Sequence, residues 1–238
     1  LPALTKIVRA MPNTPAAIGR GITGAYIAGA ISPAEKALVA MLLQTTGRLE
    51  WVETEDLMQF DLAGNPVDGA GKVYLERFIH SEIYRARPDV MAVAHTHSPQ
   101  LVAFSVSSTK LRPLSHMAGF LGNGAPVFDM RLLDPSGDML IRNEEQGRAL
   151  ARKLGNASVI LMRGHGATAV GVSLRQVVWR AIYAELNAGQ QIQAMLLGRV
   201  KYLTPAEARH ASRTVPNDPD RAWDLWKSEA AMRRRPGC

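Results

Sequence analysis

His95 and His97 stand one residue apart, just after the apolar run of residues 90–94 (VMAVA). Alternate side chains of a strand share a face, so both imidazoles point the same way. Neutral imidazoles so placed can take one divalent cation from two sides. His165 follows a second apolar run, residues 158–162 (SVILM), and lies between Gly164 and Gly166. Those glycines let the backbone turn sharply and let a ligand come close. Two buried strands that end in histidine at one rim of a sheet bring three imidazoles together. A catalytic metal site typically keeps three protein ligands and an open position. A carboxylate completes such a set as a further ligand or as the proton-transfer group. Glu76, one helical turn from His80, and Glu82, elsewhere on the same helix, compete for that place. A lone histidine such as His210 reads as an ordinary core or surface residue.

Runs of periodic and apolar residues must position these groups. Residues 74–86 read as an amphipathic helix stopped by Arg87-Pro88. Residues 90–94 and 158–162, apolar throughout, read as strands buried on both faces. Helices are expected over 99–106, 144–154, 173–197, 204–212 and 218–233, the third capped by Ser173 and closed by Gly198. Ahead of them, residues 6–10, 22–28 and 49–52 read as short strands. Ser32-Pro33-Ala34-Glu35 has the pattern of a helix start. Helices and strands alternate, so the fold class is α/β.

Composition narrows the class of protein. The chain has 238 residues, 47% hydrophobic and 21% charged, as in a soluble globular protein with a full core. No apolar run reaches the ~18 residues of a membrane helix, and the first residues lack the continuous apolar stretch of a secretion signal. The single cysteine, Cys238, allows no internal disulfide, and a cytoplasmic setting is expected. The net charge of +7 is spread along the chain, with Arg233-Arg234-Arg235 as its one dense run. No zinc-finger spacing or aromatic-basic interleaving accompanies it, so no nucleic-acid partner is expected. The excess suits a small anionic substrate.

From about residue 55 to 235 the chain resembles the class II aldolase/adducin family. EDLMQFDLAGNP, YLERFIHSEIYRARPDVMAVAHTHSP, HMAGFLG and LMRGHGATAVG carry the likeness. The resemblance implies a three-layer α/β domain with a central, mostly antiparallel sheet between helices. It implies a divalent metal held by His95, His97 and His165, zinc first, with iron or manganese also compatible. A glutamate nineteen residues before the first histidine serves as fourth ligand or acid/base; counting back from His95 gives Glu76, in preference to Glu82. His116 is implied at the substrate, where it would act with Glu76 in catalysis. The family's sugar-phosphate aldolases place two serines just before that glutamate and a tyrosine beside the histidine matching His116. Here those positions are Tyr74, Leu75 and Met117, so the chain looks more like members acting on hydroxyaromatic or keto acids. The resemblance also implies a homo-oligomer, a tetramer.

The first segment, about residues 1–58, is similar to part of pyrroline-5-carboxylate reductase through KIVRAMPNTPAAIGRGITG and AEKALVAMLLQTTGRLEWVETEDLM. It lacks a Gly-x-Gly-x-x-Gly loop after a strand, so no reductase activity and no nucleotide cofactor are expected. The domain reading is a Rossmann-derived strand-strand-helix-strand fragment over residues 1–54, structural in role, followed by the metal-binding domain over 55–238. The function expected is a metal-dependent carbon–carbon lyase, decarboxylase or aldolase, acting through a metal-stabilised enolate. A non-catalytic adducin-like module and an iron-dependent oxygenase on the same site are the alternatives.

Overall fold

A computed structural model describes residues 7–12, 21–28 and 47–51 as backbone, and residues 60–67, 73–214, 222–223 and 225. The chain divides into two compact units, residues 1–59 with 220–238, and residues 60–219.

In the first unit three strands form a sheet in the order β1-β2-β3: β1 (Ile7–Pro12), β2 (Gly21–Ala28) and β3 (Gly47–Trp51). β1 and β2 pair antiparallel, β2 and β3 parallel. All three strands lie where the sequence places them, give or take two residues. The helices expected after Ser32 and over most of 218–233 fall outside the described residues.

The second unit is built on a four-stranded sheet in the order β4-β7-β6-β5. Its strands are β4 (Ala92–Thr96), β5 (Val127–Phe128), β6 (Val159–Met162) and β7 (Gly166–Gly171). β7 pairs antiparallel with β4 and with β6, and β5 pairs parallel with β6, so the sheet is mixed and mostly antiparallel. The register opposes His95 to Thr168 and Ile160 to Thr168. One face therefore carries Val93, His95, Thr168, Val170, Ile160 and Met162, and the other Ala92, Ala94, Ala167, Ala169, Val159 and Leu161.

The two faces pack differently. The first meets helices α1 (Arg77–Ala86) and α3 (Glu144–Leu154) in a core that joins Ile79, Ile83, Leu150 and Leu154 to Ile160, Met162 and Val170. α3 is bounded by local chemistry: Asn143 accepts the Gln146 N–H at 3.0 Å, acidic residues open the helix, basic ones close it, and Gly155 ends it with φ +51°. Gly147 lets α3 approach α1; a Cβ there would lie 2.5 Å from the Phe78 carbonyl. The alanine-rich second face admits α2 (Pro99–Ser105) and α4 (Leu174–Leu197). Helices thus cover both faces of the sheet. α5 (Pro205–Thr214) packs on a 3-10 helix, His116–Leu121.

Three strands differ from expectation, the two-residue β5 among them, which no run in the sequence marks. β4 begins two residues late because Val90 is drawn into a turn, its N–H bonded to Arg87 O at 2.9 Å, which puts His95 inside the strand. β7 was not expected, since Gly-Ala-Thr-Ala-Val-Gly has little of a strand's usual composition. It is fully buried nonetheless and separates β4, which carries His95, from β6, which leads into the His165 loop.

Candidate metal centre

Because β4 and β6 each run antiparallel to β7, they are parallel to each other and end at the same rim. His95 sits near the end of β4 and His97 just past it. His165 lies in the tight connection from β6 to β7, its N–H donated to Met162 O at 3.0 Å. Both flanking glycines are required by geometry. Gly164 has φ +66°, and a Cβ on Gly166 would overlap the Thr96 carbonyl oxygen of the neighbouring strand. Glu76 precedes the first turn of α1, so the helix starts three residues later than expected. Arg77 secures this entry by donating to the carbonyls of Gly64 (2.6 Å) and Tyr74 (3.1 Å).

The structure brings four of the five expected site residues together. One ligand atom each from Glu76, His95, His97 and His165 lies within 4.8 Å of all the others. His95 Nε2 is 3.3 Å from His165 Nε2, and Glu76 Oε2 is 3.6 and 3.5 Å from those two nitrogens. Ligands 2.0–2.1 Å from a tetrahedral ion stand roughly 3.4 Å apart, so this spacing fits a small divalent cation.

The outer atoms of the ligands fix which inner atoms hold lone pairs. His95 Nδ1 faces the Ala167 carbonyl at 3.2 Å, and His165 Nδ1 faces the Met139 carbonyl at 3.1 Å. A carbonyl only accepts, so each Nδ1 carries the proton and each Nε2 turns a lone pair inward. Two inward lone pairs 3.3 Å apart repel unless a cation or proton lies between them. Burial, the charge of His165 and that of His97 hold His95 down to about 3, against the pull of Glu76, so a proton is a poor candidate. Burial and His165 also lower His97.

Burial alone would raise the pKa of Glu76. The adjacent His165 and His95 imidazoles and the Ile141 N–H (3.1 Å from Oε1) outweigh burial and hold it below the usual carboxylate value. Glu76 is therefore an ionised group, suited to ligation or to proton acceptance. Glu82 points away, buried between Arg85 (2.9 Å) and Arg148 (3.4 Å).

His116 is placed elsewhere. It is exposed at the start of the 3-10 helix and lines a cavity of about 620 Å³ with Leu203, Glu207 and His210. Arg163, two residues before His165, donates to Asp129 at 2.9 Å. Tyr74, at a position where the family's phosphate-binding members have serine, is half-buried edge-on to His80, their rings 6.4 Å apart. Burial and the charge of Glu76 push its phenol up to about 12. Met139, Ile141 and Thr168 (3.4 Å from His95 Nδ1) support the ligands and went unnoticed in the sequence, since backbone atoms and a small hydroxyl leave no pattern there.

A model of the class II aldolase and adducin N-terminal domain matches residues 18–192. The chain belongs to the class II aldolase/adducin family. The matched span takes in β2 and β3, which the sequence reading assigns to the reductase-like segment. The chain is 38% identical over 187 residues to Decarboxylase tropJ of Talaromyces stipitatus, covering 69% of this chain and 70% of that protein. It is 32% identical over 160 residues to the 3,4-dihydroxyphthalate decarboxylase of Arthrobacter keyseri, covering 63% and 62%. Among solved structures, the aldolase II superfamily protein from Pseudomonas syringae superimposes with a TM-score of 0.59 at 24% identity, over 75% of this chain and 72% of that one. Among the described residues no helix is long and apolar enough to cross a membrane.

Proposed function

We propose that this chain is a metal-dependent carbon–carbon lyase that decarboxylates a small hydroxyaromatic acid. The observation that carries the reading is the compact set of Glu76, His95, His97 and His165, in a family member whose relatives in sequence include decarboxylases. His95, His97 and His165 are the proposed ligands, with Glu76 as fourth ligand or base. When bound, the cation supplies Lewis-acid stabilisation of negative charge on the substrate's oxygens. Zinc is our first choice of metal, with iron and manganese open to the same donors.

The chain's own groups then have defined tasks. His95 and His165, their Nδ1 protons committed to carbonyls, keep fixed tautomers. Glu76 starts without a proton, so it accepts one before it can return one. Tyr74 fills the position of a phosphate-binding serine with a half-buried ring, which favours a non-phosphorylated substrate. We assign His116 to substrate contact on family resemblance alone, and residues 1–54 to a structural role without a nucleotide site. A tetrameric assembly and a cytoplasmic setting belong to the same proposal.

The test is metal content by mass spectrometry, wild type beside His95→Ala, followed by carbon dioxide release from ortho-dihydroxy aromatic acids. About one equivalent per chain that is lost in the variant, with turnover on such acids, is expected. Turnover of fuculose or ribulose phosphates alone would refute the substrate class. Oxygen uptake with a hydroxyarylpyruvate would instead establish the oxygenase.

A further inference from the structure

The outer atoms of two ligands converge on one short loop. The Met139 carbonyl accepts the His165 Nδ1 proton at 3.1 Å, and two residues later the Ile141 N–H donates to Glu76 Oε1 at 3.1 Å. His95 has no part in this, since its own Nδ1 partner belongs to the adjacent strand. Among the described residues Met139 is the one non-glycine with positive φ, at +70°. That conformation is uncommon outside glycine and costly for a β-branched residue. It turns the chain so that the carbonyl of 139 and the N–H of 141 both meet the ligand cluster.

The turn is held from both sides. Asp138 accepts the Leu140 N–H at 3.3 Å and pairs with the Arg142 guanidinium across the loop. Beneath it Met139 Sδ lies against Gly164, where a Cβ would come within 3.1 Å of the sulfur, and the Gly164 N–H is tied to Ser105 Oγ at 2.9 Å. The loop therefore meets His165 through hydrogen bonding and through contact with the preceding residue.

We propose that residues 138–142 act as a brace for the metal centre, in which the left-handed backbone at Met139, rather than its side chain, sets the tautomer of His165 and the carboxylate angle of Glu76. The inference rests on the reading of the cluster as a metal centre. It makes Met139 and Ile141 positioning residues that act through the ligands, and it predicts opposite outcomes for two substitutions at one position. Met139→Gly keeps the carbonyl and favours the left-handed turn. Met139→Val keeps an apolar side chain and opposes the turn.

The experiment combines zinc affinity, by competition with a chelator, and nitrogen-15 NMR of the imidazoles in metal-free protein. Wild type should show His165 with its proton on Nδ1. Met139→Gly should bind zinc within about threefold of wild type and Met139→Val roughly 10- to 100-fold more weakly, the range for loss of an outer-sphere partner. Metal-free unfolding curves establish that both variants are folded. Should Met139→Val not fold, Asp138→Ala at an exposed position reads the same device, with zinc affinity lowered about two- to fivefold. Equal losses in the glycine and valine variants, no loss in valine or in Asp138→Ala, or a proton on Nε2 of wild-type His165 would each overturn the brace. A wild-type protein that takes up none of zinc, iron(II) and manganese(II) would overturn the metal reading itself, and the brace with it.

Discussion

Gly166→Ala adds one methyl group where β7 leaves the histidine loop. The new Cβ would lie well under the 3.0 Å that real Cβ atoms respect from the Thr96 carbonyl oxygen, 3.1 Å from the Thr96 carbonyl carbon and 3.3 Å from His97 Cα. These are backbone atoms of a paired strand, so no side chain can swing aside. Restoring ordinary contact parts β4 from β7 by something on the order of 1 Å, twice the roughly 0.5 Å within which a functional site must be held. Overpacking of this kind costs about 1–3 kcal/mol, and the rigid neighbour places this case at the upper end. For a unit spanning residues 60–219, that lowers the melting temperature by roughly 5–10 °C. The same displacement moves His97 away from His165, so zinc affinity should fall by more than about tenfold, because ligand distances tolerate only about 0.2 Å. Scanning calorimetry of metal-free protein reads the strand strain, and chelator competition reads the ligand shift. A variant that melts within about 1 °C of wild type and binds zinc equally would refute the argument that Gly166 is required by the approach of Thr96.

Two further outcomes follow from the same coordinates. His95 is held at about 3 against an ordinary 6.5, so the unfolded chain binds the extra proton between those values; metal-free protein should lose stability as pH falls from 6.5 toward 3, by up to about 1.4 kcal/mol per pH unit for one proton, and urea titrations at several pH values should show a shallower slope for His95→Gln. Gly189 lies inside α4, where a Cβ would meet only Gln100 Cγ at 3.9 Å, so Gly189→Ala should stabilise the fold by about 0.5–1 kcal/mol, and a lower melting temperature would contradict the open space seen there.

What could be read from the sequence is what local chemistry decides. α3 and α4 were legible to within a residue because Asn143 and Ser173 cap their starts and Gly155 and Gly198 follow their ends. The histidines were legible because strand periodicity and flanking glycines are local too. β7 was not, since its alanines and glycines are selected by the approach of α4 on one side and of Thr96 on the other, and neither neighbour is close in the chain. The choice of Glu76 over Glu82 came from family spacing; the structure adds the physical ground, two arginines around one carboxylate and two imidazoles beside the other. Glu76's ionised state depends on Ile141 and His165, 65 positions or more away, which no local pattern around Glu76 could show.

The charge of the pocket links the metal reading to the substrate. With neutral imidazoles, the four-residue cluster carries only the negative charge of Glu76, and Arg163, two residues before His165, is committed to Asp129. Asp129 in turn also engages Arg131 at 2.6 Å, so these three side chains together keep one net positive charge. An organic acid approaching the bare cluster would meet repulsion from a carboxylate held ionised by its neighbours. Two positive charges at the centre of the four ligands reverse the sign, and the low-dielectric surroundings of His95 and Glu76, both nearly inaccessible, strengthen the effect. On the proposed reading, the same donors that would hold a divalent cation would also favour the approach of an anionic substrate once it is bound. Glu76 serves both events only while its proton is absent, and that is the state its hydrogen bonds impose.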